Sequence, residues 1–329
     1  MWYDRDGIKA AAQLGTEEIS FAWSLGGERL WPVLSGGPAQ ETGRWIATTR
    51  PAWASRLWAD DLGLAAEFTV GSVPFVLRWI PPGRFKMGSP EGEAGRLFHE
   101  GPRHSVTISR GFWLGETPVT QEQWTALMGE NPSHFKGPAG LPVEQVSWHD
   151  STAVAQRLNE AIPGLHAALP TEAQWEYACR AGTESAFNDG SDCTKPTGKD
   201  PALDRLGCFD DNSDGKTHGV KSKPESANAW GLFDVDGNVW EWGLDGMRTY
   251  TKKDQGDPVG TMEKSASRVV RGGSRCDDAG LCRAAYRYRC DPGSRWYYRG
   301  LRLAAGQEPG AAERPPAAEG RSRGRKPSA

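Results

Sequence analysis

Two stretches of this chain hold residues whose types and spacing could do chemistry. Between Arg268 and Leu303, nine arginines and five aromatic residues meet three of the six cysteines. Against Asp277, Asp278 and Asp291 the arginines leave this segment at +6, inside a chain of formal net charge −3. Tyr and Trp bring large, stiff, amphipathic contact area and Arg brings a planar five-donor fork, the composition of binding hot spots. A single arginine here could equally tie core loops together; the segment as a whole reads as a binding surface. The second stretch, GLFDVDGNVWEW at 231–242, sets Asp234, Asp236 and Glu241 around Gly237. Carboxylates with turn carbonyls suit a hard cation, although the spacing departs from the EF-hand, and an acidic turn capped by Trp240 and Trp242 is the alternative. Other chemistries lack their motifs. There is no G-x-x-x-x-G-K-[ST] or G-x-G-x-x-G, and the six histidines form no H-x-x-x-H pair.

Those stretches must be held by a core built from short pieces. Of 329 residues 37% are hydrophobic and 25% charged, which is ordinary, but 15 Trp, 41 Gly and 23 Pro point to indoles filling irregular spaces between loops. The apolar runs predict strands at 66–70 and 74–80, ended by Pro81-Pro82-Gly83. Val106, Ile108, Phe112 and Leu114 predict a further strand pair. Thr120 with Gln123 and Thr171 with Gln174 are capping boxes, predicting helices from 121 to Gly129 and over 172–181, the second burying Trp175, Ala178 and Cys179 as a core thiol. A third helix is expected at about 150–161. Residues 182–229 read as a long polar loop. Residues 1–44 read as an N-terminal extension and 306–329 as a disordered tail, whose basic end is too short to make nucleic acid an expected partner. With no leader-like start and no apolar run of spanning length, the chain is expected to be cytoplasmic, with mostly free thiols.

Seven blocks in order carry a family resemblance: FKMGS (85–89), ETPVTQEQW (116–124), PVEQVSW (142–148), LPTEAQWEYACRAGT (169–183), NAWGLFDVDGNVWEW (228–242), RVVRGGS (268–274) and GLRLA (300–304). In these the chain resembles the formylglycine-generating enzyme family, also called sulfatase-modifying factor domains, over about residues 53–305. The resemblance implies one α+β domain, taken as 45–305, with a C-type-lectin-like fold low in regular structure. It also implies a structural calcium held by Asp234, the carbonyls of Gly237 and Val239, and Glu241.

The family's enzymes oxidise a substrate cysteine with copper held by two cysteines. Cys276 stands one position earlier after Ser274 than the family's first ligand, the gap to Cys282 is one residue longer, and Asp277 replaces the usual His. In extended chain one residue of offset turns a side chain to the other face. The oxidase, with Cys276, Cys282 and Ser274 as its site and copper as cofactor, is therefore the alternative reading, and a non-catalytic scaffold is a third. The first reading follows a group within the resemblance, the variable proteins of diversity-generating retroelements, in which the segment between RGGS and GFRL is mutagenised to change ligand specificity. It implies a binding module for a protein or other macromolecular ligand, with contacts among Arg275, Cys276, Asp277, Asp278, Tyr286, Tyr288, Cys290, Arg295, Trp296, Tyr297 and Tyr298. If 286–289 is extended, its period of two puts Tyr286 and Tyr288 on one side and Arg287 and Arg289 on the other; the family's usual Arg at the position of Arg287 implies that the arginine side is inward and the tyrosines at the surface.

Overall fold

The computed structural model describes residues 50–306, apart from 138 and 139, together with the backbone of four short strands before residue 50. Those strands, β1 (Trp2–Arg5), β2 (Ile8–Ala11), β3 (Arg29–Val33) and β4 (Arg44–Thr48), pair as β1–β2 and β3–β4. The rest of the expected extension, and the expected tail beyond Gly306, lie outside the described residues. Next in the chain come β5 (Arg56–Asp60), β6 (Gly63–Val70), β7 (Val73–Ile80), β8 (Gly83–Met87), β9 (His104–Ile108) and β10 (Phe112–Gly115). Helices α1 (Gln121–Met128), α2 (Trp148–Ala161), α3 (Glu172–Arg180) and α4 (Pro201–Leu206) precede β11 (Trp240–Trp242), β12 (Gln255–Gly256), β13 (Arg268–Arg271), β14 (Arg287–Cys290), β15 (Arg299–Gly300) and β16 (Ala304–Ala305).

Three sheets organise these pieces, in the orders β16-β10-β7-β6-β5, β14-β13-β11-β15 and β12-β9-β8. The first grows from the β6–β7 hairpin, where Phe68 faces Phe75 across the strands and the rings stack at 4.9 Å. The pair expected at 104–115 is two strands of different sheets: β9 joins β8 and β12, whereas β10 joins β7 and β16. Both capping boxes form. The Thr120 hydroxyl accepts the Gln123 N–H at 3.2 Å while Gln123 Oε1 accepts the Thr120 N–H at 3.0 Å, and Thr171 and Gln174 repeat the exchange. Helix α2 starts at Trp148 because Ser147 and Asp150 make a third box. Within the expected long loop, Asp200 caps α4 by accepting the N–H groups of Ala202 and Leu203. The core divides into a cluster around Phe68, Trp124, Leu158 and Trp242, a second around Ile80, Phe112 and Trp175, and a third around Phe187, Leu206 and Phe209. No helix among the described residues is long and apolar enough to cross a membrane.

Candidate functional site

Sheet β14-β13-β11-β15 and the turns that leave it carry nearly all of the segment singled out by sequence. Its arginines divide sharply. Arg268, Arg271, Arg283, Arg287 and Arg302 are fully buried and Arg275 and Arg299 nearly so, leaving Arg289 and Arg295 exposed. Helix α3 supplies the counter-charges, because Glu172, Glu176 and Arg180 recur at helical spacing on one buried face. Arg287 Nε donates to Glu172 at 2.6 Å, Arg271 pairs with Glu176, and Arg180 Nε donates to Glu176 at 3.0 Å. Burial alone would raise Glu176, but Arg180, Arg271 and the Gly88 amide hold its carboxyl below the ordinary value. Arg283 grips Glu100 at 2.7 and 2.9 Å and also pairs with Glu93, so the 89–101 loop is pinned to the same segment.

The opposite side of the segment is aromatic and open. Tyr288 is 52% exposed, Trp296 47% and Tyr297 41%. Trp296 stacks on half-buried Tyr298 at 5.8 Å, and Tyr297 meets Tyr298 edge-on at 5.4 Å and His134 at 5.5 Å. Trp240 lies under Tyr286 and Tyr288, at 5.8 and 6.4 Å between ring centres. Phe98, 88% exposed, continues the series: its ring meets His99 at 5.2 Å, which meets Tyr286 at 6.0 Å. Sequence reasoning missed Phe98, His134 and Phe135. A Leu97-Phe98 pair inside the charged run GEAGRLFHEGPRH was the available signal for the first.

Several expected contacts are corrected. Tyr286 is buried against Trp240, not exposed, because it sits in the turn before β14 with its N–H donated to Arg283, outside the strand's alternation. Arg289 is exposed although an inward side chain was expected; Arg287 is inward as read. Cys290 and Arg275 are also buried. Asp278 and Arg295 need no such correction: both are exposed, Asp278 accepting the Gly198 N–H at 3.3 Å and Arg295 paired with Asp150 at 2.7 Å.

At the centre, buried Ser274 hydrogen-bonds Asp277 and lies 3.3 Å from the sulfur of exposed Cys276, while Trp240 Nε1 donates to Asp277 at 2.8 Å. Cys282 lies beneath, packed in the third core cluster with Phe187 and Phe209. Gly272 and Gly273 both take left-handed φ, 93° and 69°, and a Cβ on Gly273 would fall 2.6 Å from the Cys282 sulfur. Partial desolvation pushes the Cys276 thiol up although its side chain reaches solvent, burial takes the Cys282 thiol well above its ordinary value, and nearby carboxylates add to both. Copper(I) takes thiolates as ligands, and the burial of Cys282 with the nearby carboxylates opposes their formation.

In the acidic loop, Asp234 and Glu241 are both buried. Burial raises Asp234 and the Glu241 charge adds to this, while the Lys221 N–H, donated at 2.8 Å, works the other way. Arg302 and the Trp175 indole donate to Glu241, and the Gly237 carbonyl accepts the Val239 N–H at 2.9 Å. Asp236 faces away, accepting from the Asn188 N–H, and burial pushes it up to about 7. Among the described residues no three His, Cys, Asp or Glu side chains gather as a metal-binding group. The oxygens that the resemblance implies as donors are those of Asp234, Glu241 and the carbonyls of Gly237 and Val239, of which Glu241 already accepts from Arg302 and Trp175.

A match to the sulfatase-modifying factor enzyme 1-like domain spans residues 65–306. The formylglycine-generating enzyme of Mus musculus is 31% identical over 178 residues, 51% of this chain and 45% of that protein. The Streptomyces coelicolor enzyme is 28% identical over 267 residues, covering 64% and 81%. The chain thus spans about half the length of the mammalian relatives it matches. Among solved structures, Treponema denticola variable protein 1 superposes with a TM-score of 0.63 at 30% identity, over 73% of this chain and 98% of that one. With the seven sequence blocks lying on one α+β domain of short elements, the chain belongs to the sulfatase-modifying factor enzyme 1-like family, the fold of the formylglycine-generating enzymes.

Proposed function

We propose that this domain is a ligand-binding display module, with a protein ligand received on the face that carries Cys276, Asp277, Tyr288, Trp296 and Tyr297. The observation that carries the reading is the division of one segment into a buried back, where Arg271, Arg283, Arg287 and Arg302 are ion-paired, and an aromatic, open front. Rigid scaffolds that present Tyr and Trp with flanking charge make binding surfaces whose side chains can change without disturbing the fold. Similarity to a protein titled a variable protein supports the same reading. The oxidase reading is not favoured, because one thiol of its pair is a core residue. We also assign a structural calcium to Asp234, Glu241 and the carbonyls of Gly237 and Val239, where a cation would offset the burial of the Asp234 carboxylate.

A displayed library of the full chain, randomised at 276, 288, 296 and 297, tests the function. Most members should keep the parental melting behaviour, and selection against hen lysozyme as an arbitrary target should yield specific binders. General misfolding of the library would refute the reading. So would tight Cu(I) binding by the reduced parent that is lost in both Cys276→Ala and Cys282→Ala.

A further inference from the structure

Arg275 opens the expected variable segment and reads as a ligand contact by sequence, yet it is only 5% exposed. Its guanidinium lies 4.7 Å from the ring centre of Phe135 and 5.0 Å from that of Tyr297. Nη1 donates to the Gly215 carbonyl at 2.7 Å, and the Arg275 N–H donates to the Asn238 carbonyl at 3.0 Å. One side chain thereby joins three irregular segments, those around 135, 215 and 297. Phe135 is itself fixed from behind, donating its N–H to Glu144 at 2.8 Å. Tyr297, by contrast, is held by rings alone: Phe135, His134 and Tyr298, with Arg275 against it.

We infer that Arg275 is a positioning residue that sets the pose of Tyr297, so that the side chain at 275 tunes ligand specificity from beneath the surface without touching the ligand. The inference rests on the reading of this face as a binding surface. A guanidinium is suited to the task, since its flat faces pack on rings while its donors reach a carbonyl in the plane. An ammonium has neither the plane nor the fixed fork. Lysine at this position therefore keeps the charge and loses the clamp, which separates positioning from electrostatics.

The test uses the ligand-free full chain labelled with fluorotyrosine, in wild-type, Arg275→Lys and Arg275→Gln forms. Fluorine NMR should show the Tyr297 signal moving toward the free-tyrosine position in both variants while Tyr288 stays in place. Amide exchange at Phe135 should speed up roughly tenfold, the scale of a lost local anchor. Unchanged Tyr297 and Phe135 signals in both variants would overturn the inference. Equal movement of Tyr288 and Tyr297 would also overturn it, because that is general loosening. No ligand enters the assay, so a failure here leaves the library result standing, and a failed library leaves this result readable.

Discussion

The back and the front of residues 268–303 use the same few residue types in opposite ways. On the back, Arg271, Arg283 and Arg287 are buried against Glu176, Glu100 and Glu172, and each guanidinium also takes a backbone carbonyl. On the front, Tyr288, Trp296 and Tyr297 have few fixed polar partners and stand in solvent. Buried pairs add little stability over an apolar core, but losing one partner strands the other, so the back tolerates almost no change. The front side chains Tyr288, Trp296 and Tyr297 carry no such buried ion pair.

The largest effect should come from the back. Arg287→Ala leaves Glu172 buried without its main partner and should cost about 3–5 kcal/mol in chemical denaturation, or prevent folding. A loss below about 1 kcal/mol, the size of a surface pair, would show that the pairing does not organise the fold.

Proton linkage gives the next test of the same buried layer. Burial, with the neighbouring Glu172 charge, pushes Asp245 up to about 6 from an ordinary 3.8, although it accepts the N–H groups of Glu172 and Gly260. The folded state then holds a proton that the unfolded chain gives up. Asp245 should contribute stability below 3.8 that is lost as pH rises through about 6. Comparison of wild type with Asp245→Asn isolates this contribution: their stability difference should depend on pH across that window, and a constant difference would contradict the assignment.

Calcium should matter less. Chelation in metal-stripped buffer should lower the melting temperature by an amount equivalent to roughly 1–3 kcal/mol, restored by calcium and absent in Asp234→Asn. Equal melting with and without chelator would remove the ion from the account.

The smallest effect belongs to the front. Tyr288→Ala, Trp296→Ala and Phe98→Ser should each stay within about 0.5 kcal/mol of the parent, as surface changes usually do. A loss of several kcal/mol at any of them would mean that the aromatic face is part of the core.

How much of this was legible follows from sequence distance. The helices could be read because a capping box closes within four residues. Helix α4 was also readable in principle, since Asp200 before Pro201 is a cap followed by a first-turn proline. The fate of the arginines was not. Arg271 finds Glu176 at a separation of 95 residues, Arg287 finds Glu172 at 115 and Arg283 finds Glu100 at 183. No local pattern records such pairings, so positive charge that reads as a surface is in fact a core. Tyr286 failed for a related reason: β14 begins one residue later, and within β14 Tyr288 and Arg289 are both exposed, so this short strand does not keep a period of two.

A saturation scan of folding stability across residues 268–303, read by protease resistance of the displayed chain, tests the central claim most directly. The division into back and front predicts two separate populations. Positions 271, 283, 287 and 302 should accept almost nothing, whereas 276, 288, 296 and 297 should accept most residues at parental stability. A graded profile in which 288, 296 and 297 are as intolerant as the arginines would contradict the account.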